Sequence, residues 1–333
     1  MSRNEIISNI RSFKRDSIRQ YLLSENENQQ ILFEAARSVR EKSTFKNFVE
    51  LRSVIELSNI CSQKCRYCSM SKASSFFRLK KEDILQKIKF LSDIGRKTFL
   101  LQSGENNNQG FIDDLSYCCQ RAVELYPDIR IILCCGNLSK EQYKQLKEAG
   151  AKRYILKFET SNPEHHKFCR PSDTIENRLN CIKNLIDVGF ETGSGNIVGL
   201  PKQTLDDLID DLYCLKNLKL KMASTTKFIP NENSEFEKYP PGSINLTLNF
   251  LAILRILKPD CLIPATSSLE TGSSNGQING LMAGCNTLTI HDGTPSEVEK
   301  DYSIYSKERF IPKEQYCVDL IKKAGMEAKK YLL

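Results

Sequence analysis

The chain has 333 residues, of which 40% are hydrophobic and 27% charged, a balance typical of a globular protein and not of a disordered one. Its length fits two average domains, or one (β/α)8 barrel with extensions. The 48 Lys and Arg residues exceed the 41 Asp and Glu residues by seven, a mild excess that small anionic ligands or an acidic partner explain as well as nucleic acid would. Since no basic run accompanies this excess, no nucleic-acid partner is expected.

No stretch approaches the roughly 18 consecutive apolar residues of a membrane span. The first 15 residues alternate charged and apolar side chains, which is unlike a secretory signal. Thirteen cysteines are present, an odd number that would leave one unpaired in an oxidised protein. We therefore expect a cytoplasmic protein without a membrane partner, in which most cysteines are small buried residues and a few bind metal.

Strand and helix patterns alternate along the chain about every 30 residues, which favours successive βα units and a parallel sheet. This pattern predicts an α/β fold, a (β/α)8 TIM-type barrel over residues 46–292. Residues 1–45 are predicted to form an N-terminal helical extension and residues 293–333 a C-terminal helical tail. The eight predicted strands are 51–58, 97–103, 129–135, 153–160, 191–198, 222–228, 261–265 and 286–290.

Capping signals mark the starts of two predicted helices. Asp173, with Glu176 three residues later, is expected to cap the helix before Gly189. Thr204 and Asp207 form the pattern of a capping box ahead of an apolar stripe. In barrels of this kind the chemistry lies in the loops after the strands, so functional residues are sought there.

Three cysteines with the spacing CxxxCxxC follow the first predicted strand: Cys61, Cys65 and Cys68. A tight loop brings such residues to one metal centre. Structural zinc usually takes four ligands, and no fourth Cys or His follows nearby. A 4Fe–4S cluster held by three cysteines keeps one iron open for a substrate or cosubstrate. A zinc site and three simply buried loop cysteines remain the alternatives.

This motif, directly after the first strand of a βα barrel, resembles that of the radical S-adenosylmethionine (SAM) family. The resemblance implies one 4Fe–4S cluster per chain on Cys61, Cys65 and Cys68, and SAM chelated at the open iron. It implies that one electron, from a donor such as flavodoxin or ferredoxin, cleaves SAM to methionine and a 5′-deoxyadenosyl radical. That radical abstracts hydrogen from a small-molecule substrate. Tyr67, before the third cysteine, is expected near the adenine.

Seven further residues are implied by the same resemblance to contact SAM. A carboxylate suits its ribose hydroxyls or ammonium, and a guanidinium suits its carboxylate. For Arg178 the alternative is a solvent-facing arginine on a helix, and for Gly199 it is an ordinary strand-to-helix turn. The residues are Gly104 and Glu105 for the methionyl amino group, Glu159 and Arg178 for the ribose, amino or carboxylate groups, and Gly195, Ile197 and Gly199 for the adenine.

Longer segments resemble the group that contains biotin synthases, methylornithine synthases and the [FeFe]-hydrogenase maturases of the HydE family. Residues 153–163 and 190–201, and Tyr302 with Tyr305, are similar to HydE sequences, which implies cofactor maturation with partner proteins. Lys157-Phe158 departs from the Arg-His usual in HydE. Only Cys317 lies in the tail, so no second cluster is expected there. Biotin synthases fit less well. They hold a second cluster with cysteines on barrel strands, and this chain has no ligand residues at the corresponding strand positions.

Thr266, Ser268 and Glu270 follow the seventh predicted strand, where substrate contacts are expected. These polar side chains suit a small zwitterionic, amino-acid-like substrate or a cysteine-derived complex, bound in the barrel interior above the cluster. The alternative is that they only cap the next helix. A methylornithine-synthase-like mutase, a carbon–sulfur lyase and a non-catalytic iron–sulfur or zinc scaffold remain the other functional hypotheses.

Overall fold

The computed structural model describes residues 2–73, 75–299, 301 and 310–329, so Tyr302 and Tyr305 lie outside the described residues. The strands are β1 (Phe48–Ser58), β2 (Thr98–Ser103), β3 (Arg130–Cys134), β4 (Arg153–Ile155), β5 (Glu191–Val198), β6 (Met222–Lys227), β7 (Thr287–Ile290) and β8 (Glu327–Lys329). The helices are α1 (Arg3–Ser12), α2 (Arg15–Leu22), α3 (Asn26–Lys42), α4 (Lys81–Asp93), α5 (Gln109–Leu125), α6 (Lys140–Glu148), α7 (Pro163–Cys169), α8 (Ile175–Asp187), α9 (Leu205–Asn217), α10 (Ile244–Leu257), α11 (Gly276–Met282), α12 (Ser296–Glu299) and α13 (Glu314–Lys323).

All strand pairs of the sheet are parallel, in the order β6-β5-β4-β3-β2-β1-β7, with β8 beside the start of β1. Helices connect successive strands, and the sheet curls so that its two edges approach each other. Between the edges, Leu262 bridges to Met222 of β6 and Pro264 bridges to Thr287 of β7. The predicted α/β barrel class is confirmed.

Two predicted strands are wrong in extent. Residues 261–265 make only single bridges, because Pro264 has no N–H to donate to a ladder. The fourth strand ends at Ile155 rather than at residue 160, and Glu159, with φ 68°, leaves the extended conformation. The tail holds the predicted helix, but also the unpredicted strand β8.

The capping predictions are confirmed for one helix and wrong by one residue for the other. Thr204 caps α9 in a capping box with Asp207. The cap of α8 is Thr174, not Asp173, whose carboxylate instead accepts from the side-chain amides of Asn137 and Asn177 at 2.8 and 2.7 Å.

Strand β1 separates the core from the barrel interior by simple alternation. Val49, Ile55 and Leu57 face outward into the main hydrophobic core, which also contains apolar residues of α1, α2 and α3. Arg52 and Glu56 face inward and line an interior cavity. Among the described residues, no helix is long and apolar enough to cross a bilayer.

Candidate active site

The cysteine loop after β1 is fixed by backbone hydrogen bonds to three distant segments. Ser62 N–H donates to the carbonyl of Glu105 at 2.9 Å, and Arg66 N–H donates to the carbonyl of Cys169 at 2.9 Å. The carbonyl of Arg66 accepts from Phe236 N–H at 3.1 Å. The loop geometry is thus set by the ends of β2, α7 and the loop after β6.

Gly104 lets the end of β2 approach this loop. A Cβ at this position would lie 2.4 Å from the carbonyl oxygen of Ile60 and 2.8 Å from the Cβ of Cys61. Both distances are far below van der Waals contact, so no larger residue fits without moving the loop. Gly104 therefore acts on the cysteines through close packing of the backbone.

Cys61, Cys65 and Cys68 line one cavity of about 200 Å3 and form no disulfide. Within the described part of the chain, no three Cys, His, Asp or Glu side chains form a group that could hold a metal ion. A 4Fe–4S cluster does not need such convergence, because each thiolate binds a different iron. We call this space, lined by the three cysteines, the upper cavity.

Burial affects the acidity of two of these thiols. Burial raises the pKa of Cys61, and it raises the pKa of Cys68 to about 12. Metal binding requires thiolates and therefore releases these protons. The Sγ of Cys61 already accepts N–H bonds from Gln63 at 3.4 Å and Glu105 at 3.3 Å, which suit a thiolate ligand.

Glu105 and Arg178 form a buried ion pair at the wall of the upper cavity. The Nη1 of Arg178 lies 2.9 Å from one carboxylate oxygen of Glu105, and the amide of Gln63 donates to the other at 2.6 Å. Arg178 also donates to the side chain of Asn137 at 2.7 Å and to the carbonyl of Lys157 at 2.9 Å. Since Arg178 is only 5% exposed, it is not a solvent-facing helix arginine.

Glu159 enters the same cavity from a left-handed backbone conformation, φ 68°. Its N–H donates to the carbonyl of Gly195 at 3.0 Å, and its carbonyl accepts from Ile197 N–H at 2.9 Å. Its carboxylate pairs with Lys157 at 2.9 Å. Such strain in a non-glycine residue is typical of functional sites.

The buried carboxylate of Asp211 on α9 supports this turn. It accepts from the backbone N–H and hydroxyl of Ser161 at 2.6 and 2.7 Å, and from the amide of Asn196 at 2.9 Å. Burial raises the pKa of Asp211 to about 7. One side chain therefore holds both Ser161, two residues after Glu159, and Asn196, which bridges to Glu159 from β5.

An apolar wall faces these charged groups. Tyr67 and Ile197 line the upper cavity and pack with Phe228 in a small hydrophobic cluster. Gly195 and Gly199 do not line it. A Cβ at Gly195 would lie 2.0 Å from the carbonyl oxygen of Ser224, and one at Gly199 2.3 Å from a Cα, so both glycines allow close backbone packing behind the wall.

A second space of about 190 Å3, the lower cavity, occupies the barrel interior. Arg52, Glu56 and Thr266 line it, together with His291, whose Nδ1 is 3.7 Å from Glu56. Arg52 is 3% exposed, and its Nη2 makes no hydrogen bond within the described residues. The two cavities adjoin, because both are lined by Gln102, Cys134, Lys157 and Thr226.

The three expected substrate residues are placed differently from one another. Thr266 lines the lower cavity and its hydroxyl is 2.8 Å from that of Ser268. Ser268 and Glu270 line neither cavity. The carboxylate of Glu270 accepts from Gln277 N–H in α11 at 2.7 Å and from the hydroxyl of Tyr316 at 2.8 Å. For Glu270 this geometry favours the alternative role, capping the next helix.

Known proteins are similar to this chain in sequence and in fold. A family model described as the radical SAM superfamily matches residues 55–212. The [FeFe] hydrogenase maturase subunit HydE of Thermotoga maritima is 34% identical over 97% of this chain and 93% of that protein. The chain belongs to the radical SAM superfamily.

Other members of this superfamily are also similar to the chain. A biotin synthase of Campylobacter hominis is 31% identical over 86% of this chain and 90% of that protein. The crystal structure of methylornithine synthase (PylB) superposes with a TM-score of 0.84 at 23% identity, covering 98% of this chain and 97% of that one. The protein is a radical SAM enzyme of the HydE, biotin synthase and methylornithine synthase group, a family that implies a 4Fe–4S cluster and SAM.

Sequence reasoning missed several residues of this radical SAM site. Gln63, Gly136 and Arg170 lie at the upper cavity, and Arg52 and Glu56 at the lower one. The inward residues of β1 carried a signal, because the charged residues Glu50, Arg52 and Glu56 share one face of a largely apolar strand. Arg170-Pro171 follows the HydE-like segment 153–163, but no site role was assigned to Arg170. Gln63 and Gly136 carried no signal, since their roles depend on contacts with Glu105.

We predict that Gly104→Ala lowers the iron content of reconstituted protein at least severalfold, because the added Cβ displaces the cysteine loop. The matched control is Gly110→Ala in α5, where a Cβ would meet its nearest atom only at 3.3 Å. Iron and sulfide analysis of both variants checks this. Equal, full iron content in Gly104→Ala would contradict the role given to this glycine.

Proposed function

We propose that this radical SAM enzyme holds a single 4Fe–4S cluster on Cys61, Cys65 and Cys68 and takes part, like HydE, in maturation of the [FeFe]-hydrogenase cofactor. One observation carries the proposal: the three thiols share a cavity with the ion-paired Glu105, Arg178 and Glu159. When bound, the cluster and SAM supply a 5′-deoxyadenosyl radical by one-electron cleavage. The chain's own residues bind, orient and shield the reactants.

The upper cavity offers complementary groups for each part of SAM. Arg178 suits the carboxylate, and Glu105, already oriented by Gln63, suits the amino group. Glu159 suits the ribose hydroxyls, and the wall of Tyr67 and Ile197 suits the adenine. Burial raises the pKa of the Tyr67 phenol well above its usual value, so this wall stays uncharged.

The lower cavity suits a small charged substrate. The unbonded Nη2 of Arg52 is available to a carboxylate, and the hydroxyl of Thr266 to a second polar group. Ser268 orients Thr266 and Glu270 caps α11. An interior position also protects a reactive radical from water. A small amino-acid-like or cysteine-derived substrate fits this arrangement.

The maturase function is supported by 34% identity to HydE over nearly the whole of both chains. The proposal includes a cytoplasmic location, an electron donor such as flavodoxin or ferredoxin, and maturation partner proteins. The second candidate is a methylornithine-synthase-like mutase. It is supported by residues 267–270, which resemble the seventh-strand end of methylornithine synthases. Lys157, which lines both cavities, departs from the arginine usual in HydE.

We predict that replacing Cys61, Cys65 or Cys68 with Ala abolishes the cluster, because each thiolate supplies a bond to iron. Cys118→Ala and Cys134→Ala should keep about four irons per chain, the complement of one such cluster. Anaerobic reconstitution with iron and sulfide analysis measures this, and the parent should release 5′-deoxyadenosine from SAM on reduction. A normal cluster in Cys65→Ala would rule out the proposed ligand set.

Glu159→Ala and Arg178→Ala should keep the cluster but weaken SAM binding. Each loses a charge-assisted hydrogen bond worth about 1.5–3 kcal/mol, which corresponds to roughly a ten- to hundredfold loss of affinity. Titration of SAM into the reconstituted variants measures this. Arg121→Ala, at an exposed helix position, serves as the control. SAM affinity equal to the parent in both variants would show that these residues do not hold SAM.

The reaction itself is tested by complementation. In cells that express an [FeFe] hydrogenase and lack HydE, this chain should restore hydrogen evolution, and its Cys65→Ala variant should not. Arg52→Met should lose this activity while uncoupled 5′-deoxyadenosine release persists in vitro. Failure of the parent to complement, together with formation of 3-methylornithine, would favour the mutase.

A further inference from the structure

Arg170 lies between the cysteine loop and the Glu105–Arg178 pair. It is 4% exposed and follows the last residue of α7. Its Nη1 donates to the Sγ of Cys65 at 3.1 Å and to the hydroxyl of Tyr67 at 3.1 Å. Among the contacts described for the three cysteines, the bond from Arg170 to Cys65 is the one in which a charged side chain donates to sulfur.

The other two nitrogens of the Arg170 guanidinium lack hydrogen-bond partners in the part of the chain that the structure describes. Its Nε and Nη2 are buried without a hydrogen bond within the described residues. Nη2 lies 3.8 Å from the carboxylate of Glu105 and 3.5 Å from that of Asp173, which are long ion pairs. A buried cation with incomplete local partners favours additional negative charge nearby.

We propose that Arg170 is a positioning residue that raises the reduction potential of the cluster through its N–H···S bond to Cys65. This inference rests on the cluster ligands given under the proposed function. Reduction transfers one electron from an external one-electron donor to the cluster; the donor is oxidised, and no bond forms or breaks. The added negative charge spreads onto the thiolates, where hydrogen bonds and nearby cations stabilise it.

The surroundings of Arg170 strengthen this effect. The low dielectric of a buried site makes the charge interaction stronger than it would be at the surface. Because Nη1 also holds the hydroxyl of Tyr67, the guanidinium is fixed in position toward Cys65. Removal of Arg170 would leave Glu105 and Asp173 nearby with one fewer positive partner, which also disfavours reduction.

The test is an electron-paramagnetic-resonance redox titration of the reconstituted full chain, with one-electron mediators. The variants are Arg170→Lys, Arg170→Gln and Arg170→Met. At a fixed applied potential, the ratio of reduced to oxidised cluster should fall about tenfold in Arg170→Met, a shift of about 59 mV for one electron. Arg170→Gln, a neutral donor, should fall between Arg170→Lys and Arg170→Met.

Arg66→Met is the matched control. Arg66 belongs to the same cysteine loop, but its Nε lies 3.2 Å from the exposed Glu235 and its guanidinium stacks on Phe168. The control removes a cation of the loop and leaves the bond between Arg170 and Cys65 in place. At the same applied potential, the ratio of reduced to oxidised cluster in Arg66→Met should equal that of the parent.

Reduction ratios within about twofold of the parent in all three Arg170 variants, with intact clusters, would overturn the inference and leave the proposed function standing. An equal shift in Arg66→Met would also overturn it, because loop charge alone would then suffice. If Arg170→Met holds no iron, the test depends on the Lys and Gln variants. A ratio of reduced to oxidised cluster equal to that of the parent in both of them would overturn the inference. Absence of a cluster from the parent would instead contradict the proposed function.

Discussion

The site depends on Glu105, which joins three parts of the chain that are far apart in sequence. Its N–H donates to the Sγ of Cys61, its carbonyl accepts from Ser62, and its carboxylate is held by Arg178 and Gln63. Because every one of these contacts is buried or partly buried, Glu105 cannot move without moving both the cysteine loop and α8. The fold gives it room through Gly136, where a Cβ would lie 2.2 Å from its Cγ.

Charge inside the barrel is distributed in layers. At the base, Arg153 donates to both carboxylate oxygens of Glu50 at 2.9 and 3.0 Å, and both side chains are fully buried. Above them Arg52 lines the lower cavity, and Lys157 lies between the two cavities. Arg52 pairs with Glu50 through its Nε at 2.8 Å, whereas its Nη2 makes no hydrogen bond within the described residues and is available to a ligand.

The upper and lower cavities adjoin inside one barrel. Cys134 and Lys157 line both spaces, so a molecule in the lower cavity lies directly below one in the upper cavity. The adjacent Cys135 points the opposite way, into the main core, as strand alternation requires. The side chains that line both cavities, those of Gln102, Cys134, Lys157 and Thr226, are short or flexible.

The sequence by itself determined the parallel α/β order and the CxxxCxxC loop after the first strand, because these depend on local periodicity and spacing. The family followed from the resemblance of this motif and of longer segments to radical SAM sequences. The sequence also identified Glu105, Glu159 and Arg178 through their motifs. Only the tertiary structure decided which side chains meet. It turned Glu270 toward α11 and Tyr316 and brought Arg170 to the sulfur of Cys65. These outcomes depend on contacts between residues distant in sequence, and no local pattern encodes such contacts.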